Sequence, residues 1–93
     1  MKVTDYLTQK ALLGQLAEEC TELAHVCLKG VRYIEGDNPT PMSYDEFLAH
    51  LNEEMADVEL CMKMITISDR QLIEETMRKK EERWLERLGG GAL

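Results

Sequence analysis

The sequence predicts an all-α protein, an antiparallel helical bundle of three main helices completed by oligomerisation. Three observations carry this. Apolar residues make up 44% of the chain while aromatics are only 5% and prolines number two, and Leu, Glu, Met, Lys and Ala dominate, all favourable in helices. Apolar positions recur at three- and four-residue steps through most of the chain. Finally, 93 residues form one domain, 1–93, too small to bury much of its surface alone, so a second copy is expected to finish the core.

The first helix is expected over residues 8–34, with Leu13, Leu16, Cys20, Leu23, Cys27 and Val31 as its apolar set and Gly14 and Gly30 as weak points. Residues Glu35 to Met42 then include Gly36, Asn38, Pro39 and Pro41, which cannot continue a helix and favour a turn followed by extended backbone. Ser43 with Glu46 has capping-box spacing and opens a second helix over 44–66, whose apolar set is Phe47, Leu51, Met55, Val58, Met62 and Ile65. Ser68 with Gln71 repeats that spacing before a third helix over 69–88. Its thinner stripe of Ile73, Met77, Trp84 and Leu88, among many charges, places it at the rim, and Gly89-Gly90-Gly91 ends it.

Bulk properties remove several function classes. A formal charge of −7 without a long basic stripe argues against polymeric nucleic acid as a partner. No run of eighteen uncharged apolar residues occurs and no apolar segment follows the N-terminus, so the expectation is a soluble cytoplasmic protein without a membrane partner. Cys20, Cys27 and Cys61 are odd in number, lack C-x-x-C spacing and sit among apolar neighbours, as reduced core cysteines would.

Four acids break the pattern. At about 100° per residue, Glu54 falls between Phe47, Val58, Cys61 and Ile65, inside the apolar arc of the second helix, and Glu19 falls near the border of the apolar arc of the first. Glu22 and Asp57 each stand three residues on, about 60° to the side. A short connection makes the two helices antiparallel neighbours, which brings both pairs to one semi-buried place. Carboxylates gathered there repel unless protons or a cation neutralise them. Oxygen-only donors favour magnesium, with manganese as the alternative, and magnesium commonly shares its shell with substrate phosphates, so a polyphosphate is the natural substrate. The competing reading is a solvated acidic edge.

Glu18-Glu19-Cys20-Thr21-Glu22 has the form E-E-x-x-E, and Glu54-Met55-Ala56-Asp57 the form E-x-x-D. Together they resemble the MazG-like all-α nucleoside triphosphate pyrophosphohydrolases, over about residues 15–62, and in particular the small single-domain members. The resemblance implies hydrolysis of a nucleoside triphosphate, a deoxynucleotide or a non-standard one, to the monophosphate and pyrophosphate by a homodimer or homotetramer. It implies Glu19, Glu22, Glu54 and Asp57 as magnesium ligands and Glu18 as an acid that orients water or supports the ligands; either Glu18 or an unliganded oxygen of a ligand carboxylate would accept the proton of the attacking water. The chain departs from the family in its shortness and in having no evident pocket aromatic beyond Tyr33, Tyr44 and Trp84.

Lys29 lies on the Glu22 side of the first helix, two turns on, where it meets a phosphate or snorkels at the surface. On the third helix, Lys80 and Arg83, with Arg87, form a basic edge suited to phosphates or to ion pairs with Glu81, Glu82 and Glu86. Two rival readings remain open. Glu22 and His25 have the E-x-x-H spacing of di-iron bundles, although His50 has Phe47 rather than an acid three residues before it. A Met-rich face of Met55, Met62 and Met64 would also suit a non-catalytic dimeric interaction module.

Overall fold

A computed structural model describes residues 1–36 and 42–89. After a 3-10 turn, Val3–Asp5, come α1 (Gln9–Glu35), α2 (Tyr44–Met64) and α3 (Arg70–Arg87), with no strand among the described residues. The all-α, three-helix architecture is therefore as expected. The turn and extended backbone expected over 37–41, and the glycines at 90 and 91, lie outside the described residues.

The helix ends follow from local chemistry. Thr8 is the N-cap of α1: its extended backbone keeps it outside the helix, and its hydroxyl accepts from the N–H of Ala11 at 3.1 Å. Gly36 ends α1 at φ 80°, a left-handed conformation that glycine adopts freely, and its N–H donates back to the carbonyls of Arg32 and Tyr33. Ser43 caps α2 as its spacing predicts, accepting from the N–H of Glu46 at 3.1 Å.

The ends of α1 and α3 fall one residue from those expected, and two differences have a clear local cause. The second helix stops at Met64, not at 66, because the chain turns extended at Ile65 and the next backbone N–H groups find a different acceptor. That acceptor is Gln9 Oε1, at 2.8 Å from Thr66 N and 3.3 Å from Ile67 N, while Gln9 Nε2 donates to the Met64 carbonyl at 3.1 Å. The β-branched run Ile65-Thr66-Ile67 itself favours extended backbone. The cap of α3 is Asp69, not Ser68: its carboxylate accepts from the N–H of Leu72 at 3.1 Å. Aspartate caps as well as serine does and adds a charge that the helix dipole favours.

The helices α1 and α2 run antiparallel, since Gln9 at the start of α1 meets the end of α2 and Gly30 near its other end meets Phe47 at the start of α2. The seam between them buries Leu12, 1% exposed, with Gly30 of α1 and Val58 and Cys61 of α2. Leu16, Leu23, Val26 and Tyr33, and opposite them Phe47, Leu51 and Ile65, are half-buried along it.

This corrects part of the expected core. Leu13 and Val31 are 45% and 50% exposed, and Met55 and Met62 are similarly open. Of the three free cysteines only Cys61 is buried; Cys20 and Cys27 are exposed, not core residues. The physical reason is that the apolar arc of α1 is wide enough for two seams, and α2 covers one of them.

No residue of α3 is buried, and its contact with the hairpin is marginal. It lies at the rim, as its charge predicts, and carries two internal ion pairs, Arg70–Glu74 at 3.3 Å and Arg78–Glu82 at 3.0 Å. The molecule is consequently flat and open, 45 × 43 × 18 Å with a radius of gyration of 17.3 Å. A compact chain of this length would have about 12 Å.

Candidate functional site

Three of the four acids meet because the hairpin register sets Glu19 of α1 and Glu54 of α2 beside its seam. One ligand oxygen from each of Glu19, Glu22 and Glu54 lies within 4.8 Å of the others. Glu19 and Glu54 are half-buried and Glu22 is exposed, so the cluster opens to solvent at its Glu22 side. Asp57 is half-buried on the same side of α2, one methylene shorter, and stands beside the triad rather than within it.

Hydrogen bonding leaves this cluster incomplete. Glu19 Oε1 accepts from Gln15 Nε2 at 2.7 Å, a same-face pair at the i, i+4 spacing. The other Glu19 oxygen, Oε2, and Glu54 Oε2 are out of contact with water and have no hydrogen-bond partner. Buried polar atoms are ordinarily satisfied, so two orphans in one cluster call for a further donor or a cation. Burial pushes the Glu54 carboxyl above its ordinary 4.5, and the charges of Glu22, Asp57, Glu19 and Glu53 push it further the same way. Burial, with Glu19, Asp57 and Cys20 nearby, likewise raises the neighbouring Cys61 thiol, which stays protonated and unreactive.

The donor set fits a hard cation. Oxygens on opposite sides of a magnesium ion are about 4.2 Å apart, given bonds of about 2.1 Å. The three carboxylate oxygens, all within 4.8 Å of one another, are spaced close to that separation. Glu19, Glu22 and Glu54 are the residues that could hold such an ion, and Asp57 lies outside the group.

The remaining sequence candidates are distributed differently. Glu18 is exposed on α1 and outside the triad, and His25 is exposed and contributes nothing to it. Lys29 is exposed, on the Glu22 side of α1 and about 10.5 Å along the axis from it. Lys80 and Arg83 line a shallow groove with Trp84, Glu86 and Arg87, formed by α3 itself, and the hairpin does not gather them to the acids. Two contributors went unread in the sequence: Gln15, signalled only by its spacing from Glu19, and Gln9, whose clasp spans 55 or more positions and leaves no local trace.

Comparison with family models, with curated proteins and with solved structures finds no match for the chain.

Proposed function

We propose that the carboxylate cluster is the magnesium site of a nucleoside triphosphate pyrophosphohydrolase of the MazG-like kind. The observation that carries this reading is the convergence of three carboxylates from two helices with two oxygens left unpartnered. The motif pair Glu18-Glu19-x-x-Glu22 and Glu54-x-x-Asp57 supplies the reaction.

In this reading Glu19, Glu22, Glu54 and Asp57 hold Mg²⁺, for which Mn²⁺ substitutes. The cation, when bound, neutralises phosphate oxygens and raises the acidity of nearby water. Glu18 orients the attacking water and accepts its proton. Lys29 binds the outer phosphates from the acid side of α1, with its stem lying along the helix. Lys80 and Arg83 add to phosphate binding when α3 is brought against an acid face. The substrate is a deoxynucleoside or non-standard nucleoside triphosphate, cleaved to its monophosphate and pyrophosphate. The working enzyme is a homodimer or homotetramer, and its place is the cytoplasm, where nucleotide pools and three free thiols are both maintained. No helix among the described residues is long and apolar enough to cross a membrane.

A nucleotide panel assayed with Mg²⁺ tests the proposal. Pyrophosphate, not orthophosphate, is expected from at least one triphosphate, and Glu54→Gln is expected to lower that rate at least about tenfold, as loss of a group supporting a metal does. Inactivity across the panel, or undiminished turnover in the variant, overturns it. Iron-dependent oxidation abolished by His25→Ala would point instead to the di-iron reading.

A further inference from the structure

The charges of α3 are sorted by face. At about 100° per residue, its five acids, Glu74, Glu75, Glu81, Glu82 and Glu86, fall within an arc of about 140°. Lys80, Arg83 and Arg87 fall within about 60° on the opposite half, bordered by Ile73, Met77 and Trp84. The two ion pairs of α3 use Arg70 and Arg78, so among the described residues the three cations of the acid-free half have no ion-pair partner. Ile73 and Thr76 are the only residues of α3 that are partly covered, and both lie on that acid-free half.

The rest of the chain is strongly acidic. Helix α3 holds six of the eleven Lys and Arg and five of the eighteen acids, a net charge of +1, which leaves −8 elsewhere. Much of that charge shares one side of the hairpin. Glu46, Glu53 and Asp57 lie within about 40° on α2, next to Glu54. Glu22 joins Glu54 there from α1. The registers also agree: Lys80 is ten residues into α3 and Glu54 is ten residues from the end of α2, each about 15 Å from the connection between them. By the same count Arg87 is level with Phe47, beside Glu46, and Trp84 is level with His50. The clasp of Gln9 holds that connection as far as Ile67, which leaves Ser68 and Asp69 free of it.

We propose that α3 is a hinged arm of the hairpin, which turns about Ser68 and Asp69, folds back antiparallel to α2 and lays Lys80, Arg83 and Arg87 along the acid side, over the carboxylate cluster. The open position is the one described above. Repulsion within the cluster becomes attraction for the arm, and Lys80 brings an ammonium donor to a group with two unpartnered oxygens. The closed arm shields the cluster at its open Glu22 side. This device is argued from charge and register and does not rest on the hydrolytic reading.

Trp84, the single tryptophan of the chain and 62% exposed with the arm open, reports closure. Acrylamide quenching of the full chain is expected to rise at least about twofold between about 0.01 M salt, where charges act over about 30 Å, and about 1 M, where they act over about 3 Å. A double variant, Lys80→Glu with Arg83→Glu, helical by circular dichroism, is expected to quench at the high-salt level throughout. Carbodiimide coupling of natural and isotope-labelled wild type, refolded together and held at low salt, locates the arm even if that variant unfolds. Amide cross-links from Lys80 to Glu53, Glu54 or Asp57 are expected, in like-labelled pairs only. Salt-independent quenching, a folded double variant that quenches as the wild type does at low salt, or cross-links that are absent or join differently labelled chains overturn the proposal.

Discussion

Glu54 is the side chain on which the site's electrostatics concentrate. Its carboxyl is raised by burial first and then by four neighbouring acids, so in the absence of a cation folding favours its protonated form. The linkage follows from that sign. Stability contributed by a carboxyl with a raised folded pKa is present below its ordinary 4.5 and is lost as pH rises through the folded value. In chelator, the melting temperature is therefore expected to rise as pH falls from neutrality towards 4.5, and Glu54→Gln is expected to flatten that rise. Coincident pH profiles for the two proteins would contradict it. Glu54 was legible as unusual from helical arithmetic alone, because a glutamate between Phe47, Val58, Cys61 and Ile65 has no ordinary surface explanation. Glu19 was legible in the same way. The orphaned oxygens and the position of Asp57 outside the triad were not, since they depend on side-chain rotamers and on the register between two helices. The basic residues of α3 show the other limit: helical spacing groups Lys80 with Arg83 but says nothing about where the helix lies.

At the scale of the elements, the two helix-interior glycines of α1 behave in opposite ways. A Cβ at Gly14 would meet nothing within 4 Å. Gly14→Ala is therefore expected to stabilise the protein by about 0.4 to 1 kcal/mol, the usual gain from helix propensity. Gly30 is buried, and a Cβ there would overlap the ring of Phe47, so the same substitution meets an overpacking cost of about 1 to 3 kcal/mol that exceeds its propensity gain. A net loss is expected, and thermal melting of both variants checks the pair; equal shifts would show that the α1–α2 contact is looser than described. Glycine 30 reads in the sequence as a weak point, yet it is where the ring of Phe47 packs against the backbone of α1. The broad apolar arc of α1 reads in the sequence as one face, and only the position of α2 separates the covered side at Leu12, Leu16 and Leu23 from the open one at Leu13, Cys20 and Val31. Caps were legible where one candidate stood alone, as at Ser43, and misplaced where Ser68 and Asp69 competed as neighbours.

The whole molecule is a two-helix hairpin with an outlying third helix, and its two faces do different things. One face of the hairpin gathers carboxylates and another presents exposed apolar side chains. A cation that binds the folded hairpin and not the unfolded chain stabilises it by mass action, by about 2.7 kcal/mol at a hundred times the dissociation constant. For a chain of this length that corresponds to a rise in melting temperature on the order of 10 °C. The same cation should do little for Glu54→Gln, whose stability no longer depends on neutralising that carboxylate. The deciding measurement is thermal unfolding at neutral pH in Mg²⁺ or Mn²⁺ against sodium chloride of matched ionic strength. A rise of that order in the wild type, largely absent in Glu54→Gln, is the expected result. Equal responses of the two proteins, or a wild-type response that sodium chloride reproduces, would show that the four carboxylates are a solvated edge and not a cation site.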